Sequence, residues 1–404
     1  MALLPRSFLS WSPCYSARAD DAAMSIYLIT LLNVLNGTSL RGSRVLLSLF
    51  AIRLGAGAFE IGILISVSSI FQLFLGIYAG RVSDRYGFRL PMLFGSLGSS
   101  ISMMVPYVYP QLVSLYVSRA LTGVSFIFFA VAVQNLAASL GGAEMRTRNL
   151  STFSLGQSIS GLLGPVLVGF SIDHFGHATS YLFLGLLALL PVLALFTFPQ
   201  IVPRAQGRKQ KVAQSNLLQL VRIAPLRRTL LTGAIIFSGV DLLSFYLPIY
   251  GHSIGLSAST IGIILGAYAA AAFVVRMIMP ALVKRASEER VLTLSLFASG
   301  ITYLLFPFFQ NPWILTLIAF MLGLGLGCGQ PLSMMLTYSR SPDGRAGEAL
   351  GLRITVNKVI QIGVPLLFGY IGSSFGLIPV FWSNAVLLVT GGYLNQKPDK
   401  DMSG

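Results

Sequence analysis

Apolar residues in this chain come in twelve blocks of roughly 20, and that spacing constrains the fold more than any other feature. At 1.5 Å rise per residue, a block of that length crosses a hydrocarbon layer about 30 Å thick. Lipid offers no partners to a bare backbone, so each block reads as an α-helix, which satisfies its own amides and carbonyls. Charge content agrees. Only 10% of the 404 residues are charged and 54% are hydrophobic, where soluble domains carry about 25% charged residues. The expected fold is all-α and integral to a membrane, with twelve transmembrane helices.

An even number of crossings puts both termini on one face. Basic residues are retained in cytoplasmic loops, and here they gather on the face of the termini. Arg6 and Arg18 lie near the start, Arg81, Arg85 and Arg89 in the second loop, Arg146 and Arg148 in the fourth, and a run from Arg204 to Arg228 in the centre. Lys397 and Lys400 follow at the end, while the opposite face holds only Arg53. The expectation is a multi-pass protein of the cell membrane, of the bacterial inner membrane type, with cytoplasmic termini. The net charge of +15 is dispersed over short loops, which fits anionic lipid headgroups and not nucleic acid. His174, His177 and His252 fall in exterior loops without metal-ligand spacing and read as solvated, and Cys14 and Cys328 do not suit a structural disulfide. No metal or cofactor is expected, and the energy source implied is a proton gradient.

A shift of 200 residues lays the second half on the first. Ile61-Gly62-Ile63 falls on Ile261-Gly262-Ile263, Arg85 on Arg285, Gly123 on Gly323, Pro165 on Pro365, Gly169 on Gly369 and Phe175-Gly176 on Phe375-Gly376. This is an internal repeat. Six helices separate the copies, so the repeat is parallel, about an axis along the membrane normal. The expected organisation is a flexible cytoplasmic tail at 1–24, an N-terminal six-helix bundle at 25–199, a linker at 200–228, a C-terminal bundle at 229–394 and a tail at 395–404. Two bundles rocking about a shared interface can expose one site to each face in turn.

The second loop reads Gly80-Arg81-Val82-Ser83-Asp84-Arg85-Tyr86-Gly87-Phe88-Arg89. It resembles the diagnostic motif of the major facilitator superfamily, found between that family's second and third helices. Arg119, followed by Gly123, is similar to the family's fourth-helix motif of a buried arginine and a glycine. Gly156, Gly161, Gly164-Pro165 and Gly169 resemble the Gly-Pro motif of its antiporters, although Leu167 and Val168 stand where a nearer glycine belongs. The resemblance implies the major facilitator fold and secondary transport of the drug or metabolite:proton antiporter kind. It also implies that Asp84 meets the start of the eleventh helix, where unpaired amides and the helix dipole favour an anion. Gly80, Asp84, Arg85, Gly87, Arg89, Gly164 and Pro165 are the conformational gate expected on this basis. In the loop, Gly80 and Gly87 are expected to supply backbone freedom and close approach. Read from the residues alone, Asp84 is also a plain loop charge, and the glycines are also positions where helices pack closely.

Ionisable side chains inside a bilayer are costly and usually face a cavity or one another. The spans contain Arg41, Arg44, Arg119, Arg276, Arg353 and Lys358, with Asp241 the one clearly embedded acid, so a positive cavity is expected. Arg41 and Asp241 are equivalent under the 200-residue shift. They are expected to confront each other across the pathway, with Asp241 taking and releasing a proton as Arg41 withdraws and approaches; a permanent structural pair is the alternative. Arg41 and Arg44 lie three apart, beside Asn33 and Asn36, and two guanidinium forks suit a carboxylate or phosphate. The expected substrate-binding set is Asn33, Asn36, Arg41, Arg44, Arg119, Gln134, Asn357, Lys358 and Gln361, while Arg276 and Arg353 are expected to snorkel toward an interface. The function expected is proton-coupled export of a small organic anion or amphipathic compound by a monomer. Proton-coupled uptake of an organic acid and a non-transporting receptor or scaffold are the alternatives. An enzyme is not expected, because no nucleophile is paired with a base.

Overall fold

The computed structural model describes residues 16–140, 142–198, 202, 217–342 and 345–396. Its helices are α1 (Ser16–Arg53), α2 (Ala58–Tyr86), α3 (Arg89–Val108), α4 (Leu112–Ser139), α5 (Gly142–Thr197), α6 (Leu217–Arg222), α7 (Ala224–Ser253), α8 (Ala258–Ala286), α9 (Glu288–Leu305), α10 (Pro312–Ser339), α11 (Ala346–Phe375) and α12 (Leu377–Gln396). Among the described residues, nine helices are long and apolar enough by themselves to cross a membrane. One of the nine, α5, crosses twice, because Gly176 (φ 81, ψ 172) breaks it into two limbs. The remaining two crossings are α1 and α3. Arg41 and Arg44 dilute the apolarity of α1, and Ser96, Ser99, Ser100 and Ser102 that of α3. Those serines are buried and bond inward, Ser100 to the Gly185 carbonyl and Ser102 to Thr122. Twelve crossings result, arranged as two six-helix bundles. Large apolar side chains such as Phe74, Ile77 and Leu294 are exposed on the outer surface, where lipid is their solvent.

Helix boundaries differ from the sequence expectation wherever polar residues extend a helix beyond the apolar core. Helix α1 begins at Ser16, inside the stretch expected as a tail, and residues 1–15 lie outside the described residues. Helix α2 runs on to Tyr86, so the expected ten-residue loop shrinks to Gly87 and Phe88. Within the expected linker, α6 and the start of α7 are helical. Residues 203–216, with Arg204, Arg208, Lys209 and Lys211, and residues 397–404 are outside the described residues.

The repeated residues acquire structural reasons. A Cβ at Gly62 would collide with the Pro365 carbonyl, and a Cβ at Gly262 with the Pro165 carbonyl. Gly169 lies against the Ala258 carbonyl as Gly369 lies against that of Ala58. The residues that match under the shift therefore form two equivalent crossings, α2 on α11 and the first limb of α5 on α8, that knit one bundle to the other. Gly176 and Gly376 (φ 81 and 86) turn the chain between equivalent helices. Gly87 (φ 81, ψ 176) does the same after α2, but its counterpart is Ser287 (φ 63, ψ 156). That conformation is nearly exclusive to glycine and costs a side chain about 1–3 kcal/mol.

These crossings lie on the face opposite the termini, called here the far face. Asp173, near the far-face end of the first limb of α5, accepts hydrogen bonds from the Ala258 and Ser259 amides at the start of α8, at 3.1 and 2.8 Å. The unpaired amides and dipole of a helix N-terminus favour that carboxylate. Toward the terminal face a Cβ at Gly76 or Gly80 of α2, or at Gly351 of α11, would meet nothing within 4 Å. The close backbone crossings between the bundles lie toward the far face.

Candidate functional site

Midway through the membrane the two bundles enclose a polar chamber of about 90 Å³. Leu40 and Arg44 of α1, Ile65, Ser68, Ser69 and Gln72 of α2, and Arg119 and Phe126 of α4 line it from the N-terminal bundle. Asp241 and Phe245 of α7, with Lys358 and Gln361 of α11, complete it from the other. Asp241 lies about 18 Å from the far-face end of α7, by helical rise. It is 6% exposed.

The expected partner of Asp241 was Arg41, and the geometry corrects this. Arg44 Nη1 lies 3.3 Å from Asp241 Oδ1, and its guanidinium stacks 5.3 Å from the centre of the Phe245 ring. Arg41 turns instead to α5, donating to Gln157 Oε1 at 2.6 Å. Equivalent positions meet only where the symmetry axis passes between them. Here the contact falls one turn along α1, and two long side chains three residues apart diverge toward different neighbours. The Coulomb attraction of a pair at 3.3 Å is roughly 5 kcal/mol at an effective dielectric near 20. Desolvating each ion costs several kcal/mol, so the pair is close to balance and sensitive to loss of either charge.

Arg119 is 4% exposed. Its Nη2 donates to Ser68 Oγ at 2.9 Å, and its Nε and Nη1 have no partner. Lys358 donates across the bundles to Gln72 Oε1 at 2.6 Å and along α11 to Gln361 Oε1 at 2.8 Å. Three cations thus face one carboxylate.

Other expected site residues lie elsewhere. Asn36 is buried and donates to Ser96, joining α1 to α3, and Asn33 is buried one turn away. Asn357 is buried behind the chamber with its Oδ1 unpartnered, and Gln134 is exposed on α4. Arg276 and Arg353 do not snorkel. Arg276 bonds the Gly327 carbonyl and Ser158 Oγ, both at 3.2 Å, the second across the bundles; Arg353 bonds the Gln330 carbonyl at 3.0 Å. His177 is not simply solvated: it stacks on Phe50 and lies 3.1 Å from Arg53 Nη1.

The expected gate divides. Asp84 is exposed and has no bond to the start of α11 among the described residues. Gly80 meets open space where close approach was expected, whereas Gly87 is required by its positive φ. Arg85 lies over Tyr86, and Arg89 caps the end of α5 through the Leu195 carbonyl at 3.0 Å. Gly164 packs on the backbone of α1 at Gly42 and Thr38, and Pro165 supplies the carbonyl met by Gly262. Sequence reasoning missed Gln72, a lone amide in an apolar helix, and Asp173, which reads as a loop charge.

The family model of the Major Facilitator Superfamily matches residues 29–359 and 229–400. The chain belongs to this superfamily. The multidrug resistance protein MdtG of Dickeya zeae is 26% identical over 362 residues, covering 86% of this chain and 87% of that one. The multi-drug resistance efflux pump PmrA of Streptococcus pneumoniae is 25% identical over 362 residues, covering 88% and 90%. Among solved structures, a mutant of the peptide transporter POT superposes with a TM-score of 0.79 at 13% identity, covering 94% of this chain and 97% of that one. The major facilitator fold, a multi-span membrane location and secondary transport follow for this chain.

Proposed function

We propose that this superfamily member exports small organic molecules, anionic or amphipathic, in exchange for protons, and that Asp241 carries the proton. The ion pair between Arg44 and Asp241 carries this reading, because it joins the two bundles at mid-membrane inside a chamber to which both contribute charged groups. A proton on Asp241 neutralises the acid and leaves Arg44 free. The strength of the link between α1 and α7 then depends on protonation, which is what coupling needs. Relatives named for multidrug resistance and efflux support outward transport.

Terminal-face loops rich in Arg and Lys support a cytoplasmic terminal face in a bacterial inner membrane. The close crossings of the two bundles and the Asp173 bonds to α8 then lie on the outer side. The exchange requires one chain only, which supports a monomer.

Reconstitution tests the proposal. In liposomes with an imposed proton gradient, wild-type protein is expected to move a labelled solute against a reversed solute gradient and to release protons as it does. Asp241→Asn is expected to abolish gradient-driven movement while preserving solute counterflow. Gradient-driven transport that survives in Asp241→Asn refutes the assignment of the proton to this residue.

A further inference from the structure

The chamber is too small for a whole drug-sized molecule. Its volume is about 90 Å³, whereas ligand pockets commonly run to several hundred Å³. It fits a headgroup. Its charges select the sign of that headgroup: Arg44, Arg119 and Lys358 face it with only Asp241 in opposition, and Asp241 is already held by Arg44. A cationic ligand would have to displace Arg44 and then sit beside two further cations.

Arg119 makes the case sharper. A guanidinium presents five N–H donors and cannot shed its charge, and a buried charge without partners is expensive. Arg119 is 4% exposed, bonds only Ser68, and leaves Nε and Nη1 unsatisfied. Lys358 commits two of its three donors, to Gln72 and Gln361. Beyond the polar groups the wall is Leu40, Ile65, Phe126 and Phe245, which suits an apolar tail.

We propose that the chamber binds one anionic headgroup, a carboxylate or phosphonate on an aromatic or alkyl body, anchored by Arg119 and Lys358. This rests on the export reading and deepens it by naming the charge of the cargo and the two side chains that hold it.

Binding to purified protein in detergent tests this independently of transport. Benzoate and phenylphosphonate, titrated at constant ionic strength, are expected to raise the unfolding temperature saturably; benzyltrimethylammonium is not. Lys358→Gln and Arg119→Lys should weaken anion binding at least about tenfold. Lys358→Gln keeps the test decisive if Arg119→Lys fails to fold. Stabilisation by the cation but not the anions, or anion affinities unchanged in Lys358→Gln, overturns the proposal. The liposome assay separates the two ideas: export that persists without anion binding sinks only the anion site, and anion binding without gradient-driven movement sinks only the export reading.

Discussion

Removing Arg44 leaves Asp241 buried with its nearest cation gone, whereas removing Arg41 costs only the bond to Gln157. Breaking a buried pair from one side typically costs ~3–5 kcal/mol, and because the Arg44 side chain is 29% exposed the lower end applies. Arg44→Gln is therefore expected to lower the unfolding temperature more than Arg41→Gln, and adding Asp241→Asn to Arg44→Gln should restore much of the loss. Equal effects of the two arginine variants, or no recovery in the double variant, would show that the pair does not hold the bundles. At this scale the sequence was only partly readable. Embedded charges announce themselves by their cost in lipid, so Asp241, Arg44, Arg119 and Lys358 were all found. Their pairing was not, because a repeat shows which positions are equivalent and not which side chains meet. Gln72 was passed over because a single uncharged amide among apolar neighbours carries little signal.

Helices are where the sequence spoke most clearly, since the apolar blocks mark the lipid-spanning parts of α1 to α5 and α7 to α12 directly. Their ends were less legible. Helices such as α2 and α7 continue into water on polar residues, Val82 to Tyr86 in one and Ala224 to Arg228 in the other, where hydropathy is silent. The matched glycines were legible as a repeat but not as its cause, the crossings of α2 on α11 and α5 on α8. Gly262→Leu is expected to force α8 away from the Pro165 carbonyl and open the far face. With Cys14 and Cys328 replaced, a reporter at Ser69→Cys should then label faster from the far side with an impermeant maleimide, and transport should fall at least about tenfold. Unchanged labelling in Gly262→Leu would mean that this crossing does not seal the far face.

At the level of the whole molecule, two equivalent bundles that cross closely toward the far face are the two bodies that alternating access requires. The repeat made the two-bundle plan visible in advance. The state adopted was not visible, because it depends on small differences between competing contacts, such as the Asp173 bonds to α8 against a meeting of Asp84 with α11. In the proposed exchange, Asp241 sets the balance between these states. Spin labels at Gly57→Cys and Ser374→Cys, exposed at the far-face ends of α2 and α11, report it by pulsed distance measurement in a cysteine-free background. Two distance populations are expected in the wild-type background, with a ratio that changes with pH, and a ratio independent of pH in Asp241→Asn. One fixed distance at every pH, or the same pH response in Asp241→Asn, would contradict the account.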